Sequence, residues 1–243
     1  MANFLETPEG RRIAYHRRAG QAPGVVFLGG FNSDMTGSKA LHLDAWARAQ
    51  GRAFLRFDYS GHGASDGLFV QGSVGDWAAD AEAALTRLTT GPQILVGSSM
   101  GGWIALLLAR RRPARVAGLV LIAASPEFPE RMLAEMDAGQ RAGLAASGLT
   151  HLPSDYGEPY PITRRLVEEA REHRIFDRPF AAEVPVRLLQ GTADTAVDES
   201  VALRLLHHIR GPDVRLTLVQ GADHRFSTPD CLALIERAVA EVG

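Results

Sequence analysis

Of 243 residues, one is cysteine, Cys231, and one is lysine, Lys39. A lone thiol excludes an intrachain disulfide and a cysteine zinc cluster, so the fold has to stand on packing, which suits a reducing compartment such as the cytoplasm. There is no excess of charge of either sign. Lys plus Arg is 26 and Asp plus Glu is 28, a formal net charge of -2. That argues against a strongly basic nucleic-acid binder and against an acidic solvating chain. Long apolar runs are also missing. The longest, 103–109 and 116–124, fall far short of the roughly 20 residues that span a bilayer. No basic stretch followed by an apolar one opens the chain, so no secretory signal is expected.

What is present is 46% hydrophobic residue content, enough for one domain with a real core. Short apolar runs alternate with helical periods. Residues 12–16, 25–28, 53–57, 94–96, 116–123, 186–189 and 216–219 read as strands. Residues 41–50, 77–88 (with Asp76 as the expected N-cap), 102–111, 199–209 and 229–242 read as helices. Strands that do not alternate in polarity, separated by helices, predict an α/β fold with a mostly parallel central sheet covered on both faces. The interval 126–183 breaks the rhythm, since ordinary connections add only about 2–6 residues beyond the helix itself. Helices are expected at 130–146 and 162–174, with a Pro-, Tyr- and Gly-rich stretch at 151–161 between them. The expected organisation is a core made of 1–125 and 184–243 with a small helical cap inserted at 126–183.

The pattern Gly-x-Ser-x-Gly occurs twice, as Gly97-Ser98-Ser99-Met100-Gly101 and as Gly63-Ala64-Ser65-Asp66-Gly67. A nucleophile elbow needs a buried strand before the serine and a helix directly after it. Ser99 has both. Ser65 follows Phe57-Asp58 in a turn with nothing helical before about residue 76, so it reads as a turn residue. A serine hydroxyl needs a base. Two late strands end in parallel ways: Gln190-Gly191 leads to Thr192-Ala193-Asp194, and Gln220-Gly221 to Ala222-Asp223-His224. Both stand at the carboxyl edge of the predicted sheet, as Ser99 does, and parallel α/β sheets bind ligands there. Chain order is then Ser99, Asp194, His224. His224 would act as general base and acid, and Asp194 would orient it. The backbone N–H groups of Phe31, in the loop after the second strand, and of Met100, at the helix start, would hold the oxyanion.

Competitors stand beside each choice. Asp198 could replace Asp194 but is also placed to cap the helix that follows. Asp223 adjoins the base and is a minor competitor. His207 and His208 read as surface residues of a helix. His62, in the Gly-rich turn, could line a pocket, with a solvated turn residue the preferred reading. Asp58 is expected to brace that turn through backbone hydrogen bonds. No metal-ligand cluster and no dinucleotide fingerprint are visible, so no cofactor is expected.

At these residues the chain resembles the α/β-hydrolase superfamily. Within it, the chain is similar to the branch of mitochondrial acyl-protein thioesterases, also described as acyl-glucuronide esterases, and their bacterial relatives. The resemblance is carried by the run from Gly30 to Ala40, by Arg56-Phe57-Asp58-Tyr59-Ser60-Gly61, by Gly91 to Ser99, by Gly101-Gly102-Trp103 and by Asp223-His224-Arg225. It implies an α/β-hydrolase fold, supports Ser99, Asp194 and His224 as the triad, and implies hydrolysis of thioesters and acyl esters, with an acylated protein among the substrates. It departs at His62, which is particular to this chain, at the cap, and in the lack of a visible mitochondrial presequence. Among the cap's apolar residues, Met132, Leu133, Met136, Leu144, Leu149, Tyr156 and Tyr160 either pack the cap onto the sheet or line an acyl slot over Ser99. The alternatives kept open are a small-peptide or lactone hydrolase on the same triad and a non-catalytic binding protein of the same fold.

Overall fold

The computed structural model describes residues 2–154 and 158–243. The chain runs through β1 (Asn3–Glu6), β2 (Arg12–Arg18), β3 (Gln21–Leu28), α1 (Ser38–Ala49), β4 (Arg52–Phe57), α2 (Val74–Leu88), β5 (Gln93–Ser98), α3 (Met100–Arg111) and β6 (Val116–Ile122). A segment of short elements follows: α4 (Phe128–Glu135), α5 (Ala138–Ser147), β7 (Leu149–Leu152), β8 (Tyr160–Thr163), α6 (Arg164–Ala170) and β9 (Phe180–Ala181). The last stretch is β10 (Val186–Gly191), α7 (Glu199–His208), β11 (Ile209–Arg210), β12 (Val214–Val219) and α8 (Pro229–Glu241).

Among the described residues, eight strands form one sheet in the order β1-β2-β4-β3-β5-β6-β10-β12. The β1/β2 and β2/β4 pairs are antiparallel, and every pair from β4 to β12 is parallel. The parallel strands from β4 to β10 are covered on both faces, whereas β12, at the sheet edge, is exposed at Arg215, Thr217 and Leu218. Trp77, Leu85, Trp103 and Ile104 of α2 and α3 pack on one face, and Leu43 of α1 with Ile235 and Val239 of α8 on the other. Two-sided cover explains why β5 reads as an unbroken buried run, without alternation. Each such side chain contributes about 1.5–3 kcal/mol of transfer free energy. None of the described helices is long and apolar enough to cross a membrane.

Several local expectations change. Helix α2 begins at Val74, and its N-cap is Ser73, whose hydroxyl accepts the Asp76 N–H; Asp76 lies in the first turn. The helix expected at 130–146 is two helices. Met136 is extended, and Asp137 restarts the chain with a capping box to Gln140. The helix expected from 162 starts at Arg164, because 160–163 pairs with β7 in an antiparallel hairpin. Of the segment's expected apolar residues, Met136 and Leu144 are buried, and Met132, Leu133 and Tyr160 are half-buried against the core. Tyr156 lies outside the described residues.

This segment is tied to the core by specific bonds. Trp103 Nε1–H donates to the His173 carbonyl (3.0 Å), the Gly75 N–H to Glu169 Oε2 (3.1 Å), and Arg165 to Asp76 (2.6 Å).

The tightest packing is where β5 turns into α3. A Cβ added to Gly101 would strike the backbone carbonyls of Leu28 and Gly29, one added to Gly97 the Gly101 carbonyl, and one added to Gly102 the Ala124 Cβ at 2.6 Å. Backbone cannot yield as a side chain does, so Gly101→Ala is expected to destabilise the protein at or above about 3 kcal/mol, the upper end for overpacking. Urea unfolding at neutral pH checks this, and a loss below about 1 kcal/mol would contradict it.

Candidate active site

Ser99 is the hinge of that turn. It has φ 54° and ψ −117°, an unusual left-handed conformation for a residue with a side chain, which costs about 1–3 kcal/mol and persists only where neighbours enforce it. Here the strand and loop beside it do so. The Ser99 N–H donates to the Ile122 carbonyl (2.9 Å), and the Ser99 carbonyl accepts from Gly102 (2.9 Å) and Ser125 (3.1 Å). With its backbone fixed at both ends, the side chain stays partly exposed at the carboxyl edge of the sheet. Its hydroxyl makes no hydrogen bond among the described residues, so it is not in hydrogen-bond contact with His224 here; such contacts often tighten only with substrate bound.

Asp194 follows β10, and its side chain is fully buried. Oδ1 accepts the N–H groups of Ala196 (2.9 Å) and Val197 (2.8 Å); Oδ2 accepts Gln190 Nε2 (3.0 Å) and His224 Nδ1 (2.8 Å). Burial pushes the carboxyl up, but the hydrogen bond and charge of His224, with the Val197 and Gln190 bonds, outweigh it and hold Asp194 below its usual range. Because Nδ1 donates to the carboxylate, Nε2 of a neutral His224 carries the lone pair and is free to accept a proton.

The His224 loop is secured on two sides. The Ala193 N–H donates to the Ala222 carbonyl (3.0 Å), and the Gly221 N–H to Thr192 Oγ1 (3.0 Å). Across the sheet edge, the lone lysine, Lys39 of α1, donates to the Arg225 carbonyl. Burial draws the Lys39 amine down to about 8, against the opposing charge of Asp223. The loop therefore reaches from β12 to the start of α1, which is the side on which β3 and β5 end.

The loop after β3 lies against the serine. A Cβ on Gly30 would sit 3.5 Å from Ser99 Cβ. Asn32 has φ 53°, a second left-handed residue. Among the described residues, neither the Phe31 N–H nor the Met100 N–H is taken up by a hydrogen bond. The Phe31 ring is packed by Phe69, Phe128 and Tyr160, with centroids 4.9, 5.1 and 5.6 Å away. Between α4 and α7 runs a groove of about 320 Å³ that includes Pro126, Arg131, Phe176 and Arg204. Arg131 joins it to the site, donating to Ser125 Oγ (2.8 Å) and the Ala196 carbonyl (3.3 Å).

The competitors are occupied elsewhere. Ser65 Oγ donates to the Asp58 carbonyl (2.7 Å) and accepts the Ala14 N–H (2.8 Å), so it is a turn residue. Asp58 accepts the Met35 (2.6 Å) and Ala64 (2.8 Å) N–H groups and braces two loops at once. Asp198 caps α7, and Asp223 accepts the Phe226 N–H. His207 is exposed. His208 is half-buried, bonded to the Ile175 carbonyl (2.9 Å) beside Phe176, which corrects its reading as a surface residue.

The larger correction is His62. It is 3% exposed, not solvated, and its ring sits among Tyr59, Phe69 and Trp77 at centroid distances of 5.0–5.6 Å. Burial lowers its pKa to about 4, even with the Ser60 carbonyl favouring the proton. Gln190, too, carries no motif that would single it out in the sequence. Besides Asp194 it bonds the Val197 carbonyl (2.9 Å), and its buried Oε1 has no partner among the described residues.

Comparison with known proteins finds relatives along nearly the whole chain. The family model described as "Serine aminopeptidase, S33" matches residues 22–155. The mitochondrial palmitoyl-protein thioesterase ABHD10 of Rattus norvegicus is 37% identical over 236 residues, covering 96% of this chain and 80% of that protein. A solved structure of a putative hydrolase from Agrobacterium vitis S4 superposes with a TM-score of 0.94 at 40% identity, covering 100% of this chain and 97% of that one. The mouse α/β-hydrolase domain-containing protein 10 gives 0.91 at 34% identity, with 99% and 97% covered.

The buried His62 has a measurable consequence. Its imidazole takes up a proton below about pH 6.5 once unfolded, but only near pH 4 when folded. The unfolded state then binds more protons across that window, so folding stability falls as pH drops through it. His62→Gln, with no ionisable group there, is expected to lose less stability between about pH 7 and 4.5 in urea unfolding. Parallel losses in the two proteins would contradict the buried neutral ring.

Proposed function

This chain belongs to the α/β-hydrolase superfamily, close to the palmitoyl-protein thioesterase branch, and we propose that it cleaves carboxylic esters or thioesters through an acyl-enzyme on Ser99. The observation that carries the reading is the 2.8 Å bond from His224 Nδ1 to the buried Asp194, which leaves Nε2 as a proton acceptor on the edge where Ser99 stands. In the first half-reaction Nε2 takes the Ser99 proton as Oγ attacks the acyl carbonyl. The charge that develops on the carbonyl oxygen falls on the Phe31 and Met100 N–H groups, and Asp194 stabilises the imidazolium. His224 then gives its proton to the departing thiol or alcohol. In the second half-reaction water, deprotonated by the same Nε2, attacks the acyl-enzyme and Ser99 leaves protonated.

The segment 126–183 serves in this reading as a cap. Phe128 and Tyr160 bring its apolar side against Phe31, which supplies an acyl-binding wall beside the oxyanion loop. A reducing compartment suits the single buried Cys231, and we place the protein in the cytoplasm; the ABHD10 relatives are named as mitochondrial. The small-peptide hydrolase alternative is echoed by the family model's description, and a substrate panel separates it.

Ser99→Ala is expected to lower turnover of an acyl thioester by about 10⁴-fold or more, as for other triad serines. Retention of most activity would contradict the assignment. A panel of acyl thioesters, aryl esters, lactones and aminoacyl amides of graded chain length is expected to favour the first two classes.

A further inference from the structure

We propose that His62 is a positioning residue for catalysis: its Nε2 accepts the Asn32 N–H and so holds the Phe31–Asn32 peptide in the conformation that aims the Phe31 N–H at the oxyanion. The role rests on the Ser99 reading above and adds to it a residue outside the triad and the hole.

The two bonds of the ring define its state. Nδ1 faces the Ser60 carbonyl at 3.2 Å, and Nε2 faces the Asn32 N–H at 3.3 Å. A carbonyl can only accept and a backbone N–H can only donate, so the imidazole is the neutral tautomer with its proton on Nδ1. An imidazolium would turn an N–H towards the Asn32 N–H and expel it. Burial of the ring against Trp77, Phe69 and Tyr59 keeps it neutral.

The anchor behind the ring is rigid. The Ser60 carbonyl also accepts Trp77 Nε1–H (3.1 Å), and the Ser60 N–H and hydroxyl both donate to Asp80 Oδ2 (2.9 and 2.6 Å). The Asp80 side chain is fully buried, with Arg11 on its other oxygen at 2.7 Å. The line from α2 through Ser60 and His62 thus ends on the left-handed Asn32, one residue past Phe31. The loop's other ties lie to either side. Ser33 Oγ bonds the Gly30 carbonyl (2.8 Å), and Asp58 takes the Met35 N–H. Among the described residues, only His62 bonds the peptide group between Phe31 and Asn32.

Three replacements separate this role from packing. Asn can reach Ser60 but not Asn32. Gln extends its carbonyl to where Nε2 lies. Leu fills the space with no acceptor. His62→Leu and His62→Asn are expected to lower kcat for an acyl thioester by about 10- to 100-fold with KM little changed, since donor misplacement is felt in the transition state. His62→Gln is expected to recover most of that loss. Affinity for a trifluoromethyl ketone, whose Ser99 adduct carries an oxyanion, should fall in step with kcat/KM.

Unchanged kcat in the Leu and Asn variants overturns the proposal. So does an equal loss in all three that follows their melting temperatures, which marks packing alone. If the Leu variant does not fold, the contrast between Asn and Gln decides. A wild-type protein that turns over no ester or thioester removes the Ser99 reading and this role with it, whereas an active wild type with indifferent His62 variants removes only the role of His62.

Discussion

Between β5 and α3 the backbone has to reverse within two residues and still leave the Ser99 side chain uncovered. That turn exists only because three glycine backbones are allowed to touch their surroundings: Gly97 against the Gly101 carbonyl, Gly101 against the end of β3, and Gly102 against Ala124. The left-handed Ser99 is intrinsically unfavourable, and the bonds to Ile122 and Ser125 of the neighbouring strand and loop hold it. The candidate site is arranged around that fixed point. The loop after β3 lies within van der Waals reach of it, and the loops after β10 and β12 supply a buried carboxylate and an oriented imidazole at the same edge.

A second feature is how much of the chain's most specific sequence braces the loop after β3. Arg56 donates to the Met35 carbonyl (2.9 Å), Asp58 accepts the Met35 N–H, Tyr59 reaches the Gly29 carbonyl (3.3 Å), and Ser60 anchors His62. Four of the residues in Arg56-Phe57-Asp58-Tyr59-Ser60-Gly61 are thus bonded, directly or through one ring, to residues 29–35. A loop without the support of helix or sheet is held in one conformation by such a frame.

Except for the edge strand β12, the parallel strands were legible because burial on both faces leaves an apolar run with no alternation. The sharp turn at Ser99 was legible because glycines at that spacing, between a buried strand and a helix, are what such a turn through a serine requires. Ser65 was separable from Ser99 by context alone. The short pairs, β7 with β8 and β9 with β11, were not legible, since two to four residues cannot establish a period of two. The break at Met136 and Asp137 hid inside an apolar helical pattern that continues across it, and only the capping box of Asp137 with Gln140 marks the restart. His62 was misread for a different reason. In a glycine-rich turn a histidine looks solvated, and its burial comes from Tyr59, Phe69 and Trp77, which converge from the same turn, the 3₁₀ turn beyond it and a helix. Local sequence cannot encode that convergence.

The most direct test of the account is to react the folded protein with a fluorophosphonate and locate the adduct by peptide mass spectrometry. Stoichiometric phosphonylation of the Ser99 peptide, abolished in His224→Ala and absent from the Ser65 peptide, is the predicted result. A folded protein that takes up no label, or that is labelled at Ser65 with Ser99 untouched, would contradict it.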